Sequence, residues 1–595
     1  MTLPETAADG RKAAPGTDHS PREALKLLAQ AAAPERRGLV KGLGWLVVAA
    51  ALEAIGPILG KHFIDVHVLP RQFDLAAMAL LLGAMLLSGW AASLLRYAQL
   101  RRMASVARRS VLRLREQVYA HVLAQPMAFF DRSISGQLLS RITNDTDAVN
   151  NLYRQVLFVM LDSSIVVLGA LAAMAWLDWR LMLIVVALVP ASSGIIWLYQ
   201  RASSEPVQRA RALRADLNAQ MAESMAGMAM LQSAGASQRF AARYEAANQA
   251  QLQARVLELR ANAWLLRPAL DLLNVLLIVT VIYGFGLREV SGIEVGLLYA
   301  FLAYIARVVE PLIQITMQFS QLQQALVAAS RVRALLQEPA EPRSQRADLR
   351  VTQGAIRFEH LQFSYKPGQP VLHDLDLEVA PGSFVGIAGH TGSGKSTLLA
   401  LLLRFYQPQQ GRILVDGQAL EQLPDEAFHA ALGLVPQEPY LIAGTVRENI
   451  RMGRAMSDDR IEAAARDARA HDFLMALPNG YDSRLGDGGL AVSTGQKQLI
   501  ALARALAGDP RILLLDEATA NIDSATESQV GDALRALHGR VTVIAIAHRL
   551  STLRDADQIV VLNHGRLAER GTHDALMRID GGLYQRLVQL QALEE

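Results

Sequence analysis

The nine residues from Gly389 to Thr397, GHTGSGKST, match the phosphate-binding pattern G-x-x-x-x-G-K-[ST]. They follow an apolar, strand-like run and precede the helix-like sequence LLALLLRF, which is the context that this loop requires. Glycines allow backbone amides to approach phosphate oxygens closely. We predict that Lys395 reaches the β- and γ-phosphates of a nucleoside triphosphate and that the Ser396 hydroxyl binds Mg²⁺. The predicted loop residues are Gly389, His390, Thr391, Gly392, Ser393, Gly394, Lys395, Ser396 and Thr397.

A pair of carboxylates downstream completes this chemistry. The apolar run ILLL ends in Asp516 and Glu517, and burying two acids at the end of a strand is costly without a cation. We predict that Asp516 holds Mg²⁺, in part through water, and that Glu517 polarises the attacking water. The loop and the acid pair together predict hydrolysis of a nucleoside triphosphate, which a chance glycine-rich turn would not explain.

Three further segments, VSTGQ, LVPQEP and IAIAHRLST, resemble those of the ATP-binding cassette (ABC) family in order, spacing and composition. The resemblance covers essentially the whole chain, and it implies that the nucleotide is ATP. It also implies that Ser493, Gly495 and Gln496 of the signature contact the γ-phosphate of ATP held by an opposite subunit. Because the chain has one phosphate loop and one signature, the functional unit is expected to be a dimer.

The resemblance implies four more roles, residue by residue. Gln437 would be the Mg²⁺ ligand and coupling sensor of the Q-loop, and His548 the switch histidine that clamps the γ-phosphate. Asp523 would be the D-loop residue, and Tyr365 the aromatic that stacks on adenine. A single tyrosine or histidine after a strand is usually a core or loop residue, so these assignments depend on the ordered series of motifs. Lys395, Gln437, Glu517 and His548 are the predicted catalytic set.

The first half of the chain is predicted to cross a membrane. The chain is 51% hydrophobic and 19% charged, and the apolar residues are concentrated before about residue 330. A helix needs about 20 apolar residues to cross a hydrocarbon core of ~30 Å. Six segments are long enough, at approximately 43–63, 75–95, 156–177, 181–198, 270–287 and 295–317. Six such runs argue against the alternative, the buried core helices of a soluble protein.

The connections between these segments predict the orientation. Segments two and three, and segments four and five, are joined by long polar connections rich in arginine. The positive-inside rule places these connections, the N-terminus and the ATPase domain in the cytoplasm. Residues 129–149 resemble the first coupling region of ABC exporters, and residues 222–232 resemble the second. The resemblance implies a short helix at the tip of each connection, seated on an ATPase domain near the Q-loop.

These observations predict an α-helical membrane domain of the ABC exporter type, with six transmembrane helices, fused to an α/β P-loop ATP-binding cassette domain. The chain has no cysteine, which excludes disulfides and thiolate metal sites, and its net charge of +3 is too small to imply nucleic acid as a partner. The predicted divisions are 1–37 (polar tail and interfacial helix), 38–330 (transmembrane domain with two long cytoplasmic extensions), 331–350 (linker) and 351–595 (ATP-binding cassette domain).

The signature departs from the family's usual L-S-G-G-Q, because its first glycine is Thr494. A β-branched residue costs backbone freedom and adds bulk where the loop faces a nucleotide, whereas Glu517 and His548 are intact. With the stretches LRPALDLLN and IEVGLLYAFLAYIARVVEPL, the chain resembles MdlB-type (SmdB-like) bacterial multidrug exporter subunits, which pair with an MdlA-type (SmdA-like) chain. The resemblance implies a heterodimer in the bacterial inner membrane, and a homodimer that tolerates Thr494 is the alternative.

Ionisable residues inside the apolar segments mark functional sites by default. Arg307 and Glu310 could pair within one helix, and so could Arg267 and Asp271. Glu53 has no obvious local partner and is the favoured candidate for an acid that meets a cationic substrate. The full set is Glu53, Arg96, Asp162, Arg267, Asp271, Arg307 and Glu310.

We therefore predict an ATP- and Mg²⁺-dependent exporter that works by alternating access and moves drugs or other amphipathic small molecules across the lipid bilayer. Two alternatives stay open. One is a transporter of a defined cargo such as a lipid, a peptide or a siderophore, and the other is an ATP-gated regulator or channel. Glu517 and His548 disfavour the gate, because a gate that only binds ATP does not need a water-activating acid.

Overall fold

The computed structural model describes residues 21–133, 135–261, 263–264, 267–286, 295–339, 349–486, 488–517, 523–547 and 549–594. These residues form two compact units. The first takes its residues from 1–123 and 134–338, and the second from 124–133 and 339–595. The first unit is helical, and the second contains both helices and sheets. The short segment 124–133 therefore belongs to the second unit, although it lies between two parts of the first in the sequence.

Long helices build the first unit, and a short helix of the same region, α4, belongs to the second. The helices are α1 (Pro21–Ala32), α2 (Arg36–Phe63), α3 (Leu75–Leu123), α4 (Met127–Arg132), α5 (Ser135–Ser140), α6 (Thr146–Asn151), α7 (Phe158–Val186), α8 (Leu188–Ala226), α9 (Met228–Ser233), α10 (Ser237–Ala261), α11 (Arg267–Gly286) and α12 (Val295–Gln337). With 49 residues, α3 is about 74 Å long at 1.5 Å per residue. It is therefore long enough to cross a membrane and to extend well beyond it.

Five helical stretches in the described part of the chain are long and apolar enough to cross a membrane. The third stretch, Gly136–Ala226, contains two of the six predicted segments. It is divided at Asp178, where the backbone is extended (φ −158°, ψ 108°). The Asp178 carboxylate accepts hydrogen bonds from the amides of Arg180 and Leu181, at 2.8 and 3.4 Å, as an N-cap does. This break separates the third predicted segment from the fourth.

The N-terminal helix α1 forms where the sequence predicts an interfacial helix. Its apolar residues Ala24, Leu27 and Leu28 are buried, and the helix packs against α3 and α12. The Tyr153 hydroxyl donates a hydrogen bond to the carbonyl oxygen of Leu28. The apolar face of α1 is thus covered by α3 and α12. The sequence alone does not predict where these two helices lie.

The core of the helical unit lies where α7, α11 and α12 meet. Phe301, Tyr304 and Val308 of α12 are fully buried, and they form one cluster with Met174 of α7 and Val281 of α11. These side chains recur every three or four residues along α12, so that one face of the helix is buried along several turns.

In the part of the chain that the structure describes, the second unit contains three sheets. Its strands are β1 (Ile356–Lys366), β2 (Gln369–Val379), β3 (Phe384–Ala388), β4 (Gln410–Val415), β5 (Gln418–Ala419), β6 (Leu432–Val435), β7 (Gly444–Thr445), β8 (Arg484–Leu485), β9 (Ile512–Asp516), β10 (Thr542–Ile546), β11 (Gln558–Asn563) and β12 (Arg566–Gly571). The six-stranded sheet has the order β12-β11-β3-β10-β9-β6. Its strands are parallel except β12. A four-stranded antiparallel sheet (β2-β1-β4-β5) and a two-stranded sheet (β7-β8) accompany it.

Helices cover the parallel sheet, whose strands are therefore almost continuously apolar. They are α13 (Lys395–Leu402), α14 (Asp425–Ala431), α15 (Val446–Arg451), α16 (Asp458–Asp467), α17 (His471–Met475), α18 (Thr494–Ala507), α19 (Ser524–Leu537), α20 (His573–Met577) and α21 (Leu583–Glu594). Two hydrophobic clusters result. One contains the buried faces of α18 and α19, and the other joins α13 to the four-stranded sheet.

Candidate nucleotide site

The parallel sheet brings the predicted nucleotide motifs to one edge. Strands β3, β10, β9 and β6 are consecutive neighbours, and the ladder pairs Ile546 with both Ile387 and Asp516. Since the carboxyl ends of parallel strands share an edge, the phosphate loop after β3, the acid pair of β9 and Gln437 after β6 lie side by side. This edge is the candidate nucleotide site.

The phosphate loop has the backbone conformation that its glycines predict. Gly389, Gly392 and Gly394 have φ angles of 149°, 81° and 102°, in the region that favours glycine. A Cβ atom on Gly389 would lie 2.4 Å from the carbonyl oxygen of Leu562, so a side chain would not fit there. Helix α13 begins at Lys395, and the first amides of a helix have no partner within it, which makes this end a site for an anion.

The Lys395 ammonium folds back onto the loop. It donates hydrogen bonds to the carbonyl oxygens of Gly389 and His390, at 2.7 and 3.0 Å. Burial lowers the pKa of Lys395, while the charges of Glu517 and Asp516 oppose that shift. The phosphates of a nucleotide would offer this ammonium charged acceptors in place of two neutral carbonyl groups.

The other donors of the loop also fit a phosphate. The Ser393 side chain is buried, and its hydroxyl has no hydrogen-bond partner among the described residues. A buried hydroxyl without a partner costs about 1–3 kcal/mol, so an anion in the loop would relieve that cost. Thr391, Gly392 and Ser396 are exposed, which leaves the loop accessible from solvent.

The acid pair carries the electrostatic signature of a cation site. Burial, and then the charge of Glu517, raise the pKa of Asp516, while Lys395 opposes the shift. A divalent cation would favour the ionised carboxylate instead. Glu517 has a φ of 48°, a left-handed conformation that costs a residue with a side chain about 1–3 kcal/mol and is typical of functional sites. Its amide donates to the carbonyl oxygen of Ile546, at 2.9 Å, which holds the residue against β10.

Gln437 is in direct contact with the acid pair, because its side-chain amide donates a hydrogen bond to the Glu517 carboxylate. Its position depends on Gln498 of α18, which was not predicted from the sequence. Gln498 is buried, and its side-chain nitrogen lies 2.9 Å from the carbonyl oxygen of Gln437 and 3.4 Å from that of Pro436. The only signal for Gln498 in the sequence is that a polar residue stands on the apolar face of an amphipathic helix.

The signature and the D-loop pack against each other within the chain. Ser493 and Gln496 form a capping box at the start of α18, with distances of 3.2 and 3.0 Å between side-chain oxygen and amide nitrogen. A Cβ atom on Gly495 would lie 2.7 Å from Oγ1 of Thr526. Thr526 in turn donates from its amide and its hydroxyl to Asp523, at 3.1 and 2.8 Å. Gly495 is therefore buried against the D-loop helix α19.

The backbone at Thr494 differs from the expectation. Thr494 is the exposed first residue of α18, and it is not among the residues with positive φ. A helical backbone accommodates a β-branched residue, so the predicted cost in backbone freedom does not apply. The added bulk remains, since an exposed side chain replaces the hydrogen atom of a glycine.

Tyr365 lies near the end of β1, and its side chain is 48% exposed. Its hydroxyl donates to Oγ1 of Thr397 at 3.2 Å, so this candidate for adenine stacking is joined directly to helix α13 of the phosphate loop. His548 lies outside the described residues.

The first predicted coupling region, residues 129–149, begins inside α4, which belongs to the same unit as the nucleotide motifs. Asp131 of α4 accepts a hydrogen bond from the Tyr406 hydroxyl. The sequence predicts docking near the Q-loop, whereas the hydrogen bond in the described residues is made at Tyr406, whose ring lies 5.0 Å from that of Tyr365. The reason is that Tyr406 follows α13 and is brought beside β1 by the fold.

The charges inside the helical unit form a connected network that includes Glu53. Arg96 of α3 donates to Glu53 of α2 at 2.8 Å and to Asp162 of α7 at 2.6 Å. Arg307 of α12 donates to the backbone oxygen of Glu53. Glu53 therefore has partners, which come from neighbouring helices rather than from its own.

Two ion pairs were predicted within single helices, Arg307 with Glu310 and Arg267 with Asp271, and the structure describes only the first. Arg307 contacts Glu53, and Glu310 accepts a hydrogen bond from Gln314 at 3.1 Å. The predicted contact between Arg307 and Glu310 is therefore replaced by contacts to other groups. The side chain of Arg267 lies outside the described part of the chain, so its pairing with Asp271 stays a prediction.

Comparisons with known proteins agree with this architecture. Residues 40–312 match the ABC transporter transmembrane region, and residues 372–520 match the ABC transporter domain. The chain is 33% identical to the multidrug resistance-like ATP-binding protein MdlB of Buchnera aphidicola subsp. Acyrthosiphon pisum, over 93% of this chain and 95% of that protein. It is 36% identical to a fatty acid ABC transporter ATP-binding/permease protein of Mycobacterium bovis, over 92% and 88%.

A solved structure of a bacterial Atm1-family ABC exporter with ATP bound has a TM-score of 0.80 and 31% sequence identity, and the match covers 94% of this chain and 98% of that one. These findings confirm the predicted fold class, the ATP-binding domain and the exporter architecture. A half-transporter with one membrane region and one ATP-binding domain works as a dimer. The chain therefore belongs to the ABC transporter family, as an ATP-driven exporter subunit whose multi-pass helical membrane region is fused to an α/β ATPase domain.

Proposed function

We propose that this chain is one half of a heterodimeric exporter in the bacterial inner membrane, with an MdlA-like chain as its partner. It moves drugs or other amphipathic compounds outward by alternating access. Residues 38–330 form its membrane domain, and residues 351–595 form the ATP-binding cassette domain in the cytoplasm. The common sheet edge that holds the phosphate loop, the acid pair and Gln437 supports ATP hydrolysis by this chain, and Thr494 in the signature supports an unequal partner.

The residues at this edge suit Mg·ATP. Lys395 and the loop amides neutralise phosphate charge, and Tyr365 offers an exposed ring to adenine. The Ser396 hydroxyl, the Asp516 carboxylate and the Gln437 amide oxygen are hard oxygen ligands of the kind that Mg²⁺ prefers. Mg²⁺, when bound, neutralises charge that develops on the phosphates.

Glu517 is the proposed base for hydrolysis, and Gln437 orients it. The Gln437 nitrogen donates to Glu517, and this contact does not use the amide oxygen of the same side chain, which can face Mg²⁺. One side chain can thus set the position of the base relative to the metal. His548 is the proposed γ-phosphate clamp. Ser493, Gly495, Gln496 and Asp523 are proposed to act on the nucleotide of the other subunit.

The heterodimer is tested by the Mg²⁺-dependent ATPase activity of the chain purified alone in lipid, with Glu517→Gln as control. The proposal expects little activity from the chain alone and recovery when its partner half is added. Activity that the chain shows alone and loses with Glu517→Gln would establish a working homodimer instead. In the heterodimer, Thr494→Gly is expected to raise ATP turnover at the site that this signature faces.

Amphipathic drugs are the favoured cargo, because the acids Glu53 and Asp162 are already paired with Arg96. Internal pairing leaves recognition to apolar surface rather than to a single charge. The Mycobacterium bovis relative is named for fatty acids, which makes them the second candidate. ATPase stimulation in proteoliposomes by tetraphenylphosphonium, compared with oleate, separates the two.

Glu53→Gln tests whether this acid also contacts the substrate. We expect it to lower stability and to affect cationic and neutral drugs alike. A selective loss of tetraphenylphosphonium stimulation at unchanged stability would instead assign Glu53 to the substrate site. An ATP-gated channel would show neither stimulation nor a functional loss with Glu517→Gln.

A further inference from the structure

Three aromatic rings connect the phosphate loop to the first coupling helix. The rings of Phe363, Tyr365 and Tyr406 contact one another, with centroids 4.9, 5.0 and 5.5 Å apart. Tyr365 meets both neighbours edge to face, at interplanar angles of 86° and 89°. Such contacts are directional, so a rotation of one ring displaces the others.

Hydrogen bonds hold both ends of this cluster. The Tyr365 hydroxyl donates to Thr397 of α13, and the Tyr406 hydroxyl donates to Asp131 of α4. Burial, and then the hydrogen bond to Asp131, raise the pKa of Tyr406 to about 12. The Tyr406 hydroxyl therefore remains a donor throughout the physiological pH range.

The three rings differ in accessibility. Phe363 is buried, Tyr406 is half-buried and Tyr365 is 48% exposed. A planar ligand can therefore reach Tyr365, and Phe363 supplies a fixed wall behind it. Adenine stacking on the exposed ring would compete with the edge-to-face contact to Tyr406, because the same ring serves both.

We propose that Tyr406 is a positioning residue. Through its hydrogen bond to Asp131, it transmits the binding of adenine at Tyr365 to the coupling helix α4. The inference rests on the proposed function, in which adenine stacks on Tyr365. In this arrangement the occupancy of the adenine position reaches α4 through Tyr406, whereas Gln437, the predicted coupling sensor, contacts the acid pair.

The test uses the full dimer that the proposed function requires, reconstituted in lipid nanodiscs, with this chain in a Glu517→Gln background that prevents hydrolysis. The chain contains no cysteine, so Leu123→Cys at the exposed end of α3 accepts a single environment-sensitive dye. ATP binding is measured by titration, and the ATP-induced change in dye fluorescence is measured in parallel.

Tyr406→Phe keeps the ring and removes the hydroxyl. We expect it to bind ATP within about twofold of the reference and to lose at least about fivefold of the dye response, as the loss of one hydrogen bond to a charged group predicts. Tyr440→Phe, at an exposed tyrosine of the same unit, is the matched control and should change neither quantity.

Asp131→Ala should reproduce the Tyr406→Phe effect, and the double variant should be no worse than either alone. Asp131→Asn, which keeps an acceptor, should retain most of the response and serves if Tyr406→Phe does not fold. A full dye response in Tyr406→Phe, additive effects in the double variant, or parallel loss of ATP affinity and response would each overturn the inference. A reference protein that binds no ATP would count against the proposed function instead, and one that binds ATP without a dye response would count against the inference.

Discussion

Replacement of Gly495 by alanine tests whether the signature glycine is required by packing or by direct contact with nucleotide. The new Cβ atom would lie 2.7, 2.9 and 3.1 Å from Oγ1, Cγ2 and Cβ of Thr526. Overpacking of this kind costs about 1–3 kcal/mol, and displacement of Thr526 from Asp523 costs about 0.5–1.5 kcal/mol more. Alanine gains at most about 1 kcal/mol in helix propensity. The expected net loss is about 1–3 kcal/mol.

A second substitution isolates the cause. Thr526→Ala removes Oγ1 and Cγ2, the two closest atoms, and leaves the Cβ atom at 3.1 Å. If packing dominates, the double variant should recover at least about 1 kcal/mol relative to the sum of the single changes. The control is Gly531→Ala on the same helix α19, where a Cβ atom meets nothing within 4 Å. It should be neutral or stabilising by up to about 1 kcal/mol.

Both readouts are needed, namely the ATPase rate of the active dimer in lipid and the denaturation midpoint of the purified protein. The packing account expects Gly495→Ala to lower the denaturation midpoint and the ATPase rate together, with partial recovery of both in the double variant. An equally inactive double variant with a restored midpoint would refute it. That result would place Gly495 against the nucleotide of the other subunit, as the family resemblance implies.

Three further predictions follow from the contacts described above. Asp516→Asn should abolish Mg²⁺-dependent ATPase and yet raise the denaturation midpoint of the nucleotide-free protein at neutral pH. Because the pKa of Asp516 is raised, protonation removes its buried charge in acid, so the difference in midpoint between the two proteins should shrink as pH falls through that pKa. A difference that stays constant with pH would contradict a buried charge at Asp516. Gln498→Leu should lower the ATPase rate about tenfold by releasing the carbonyl oxygens of Pro436 and Gln437, whereas Lys497→Leu should not, and equal effects would refute a specific role. Arg96→Met should destabilise the lipid-embedded protein about twice as much as Glu53→Gln, because it removes two ion pairs rather than one; equal thermal shifts would argue against the network.

Local motifs made the chemistry of the nucleotide site predictable from the sequence. A loop that wraps a phosphate needs glycine at fixed offsets, and an acid pair at a strand end needs a cation, so Gly389, Lys395 and Asp516 could be identified one by one. The order of the strands that bring them together could be anticipated only through the family resemblance. Apolar length likewise predicted the six membrane segments, because the thickness of a bilayer sets the length of a helix.

Contacts between distant residues could not be predicted in this way. Tyr406 and Asp131 are 275 positions apart, Gln498 and Gln437 are 61 apart, and Arg96 and Asp162 are 66 apart. None of these pairs follows from helix or strand periodicity, which relates only neighbours on the same element. The sequence accordingly shows no partner for Glu53 near it along the chain, although Arg96 on the neighbouring helix α3 contacts it.

Helix α18 is the element on which three of the predicted motifs depend. Ser493 caps its first turn, Gly495 packs against Thr526 at the start of the D-loop helix, and Gln498 holds the backbone of Gln437 in the Q-loop. Because most of α18 is buried, including every residue from Gln498 to Ala503, packing on all sides makes the helix move as one piece. A displacement of the signature, such as closure onto the nucleotide of another subunit would cause, therefore moves the support of Gln437 and with it the partner of Glu517. Closure of the signature on the other subunit's nucleotide would then align Glu517 on the nucleotide that this chain binds. Gln498→Leu should accordingly weaken the dependence of the two ATP sites on each other more than it weakens ATP binding at either.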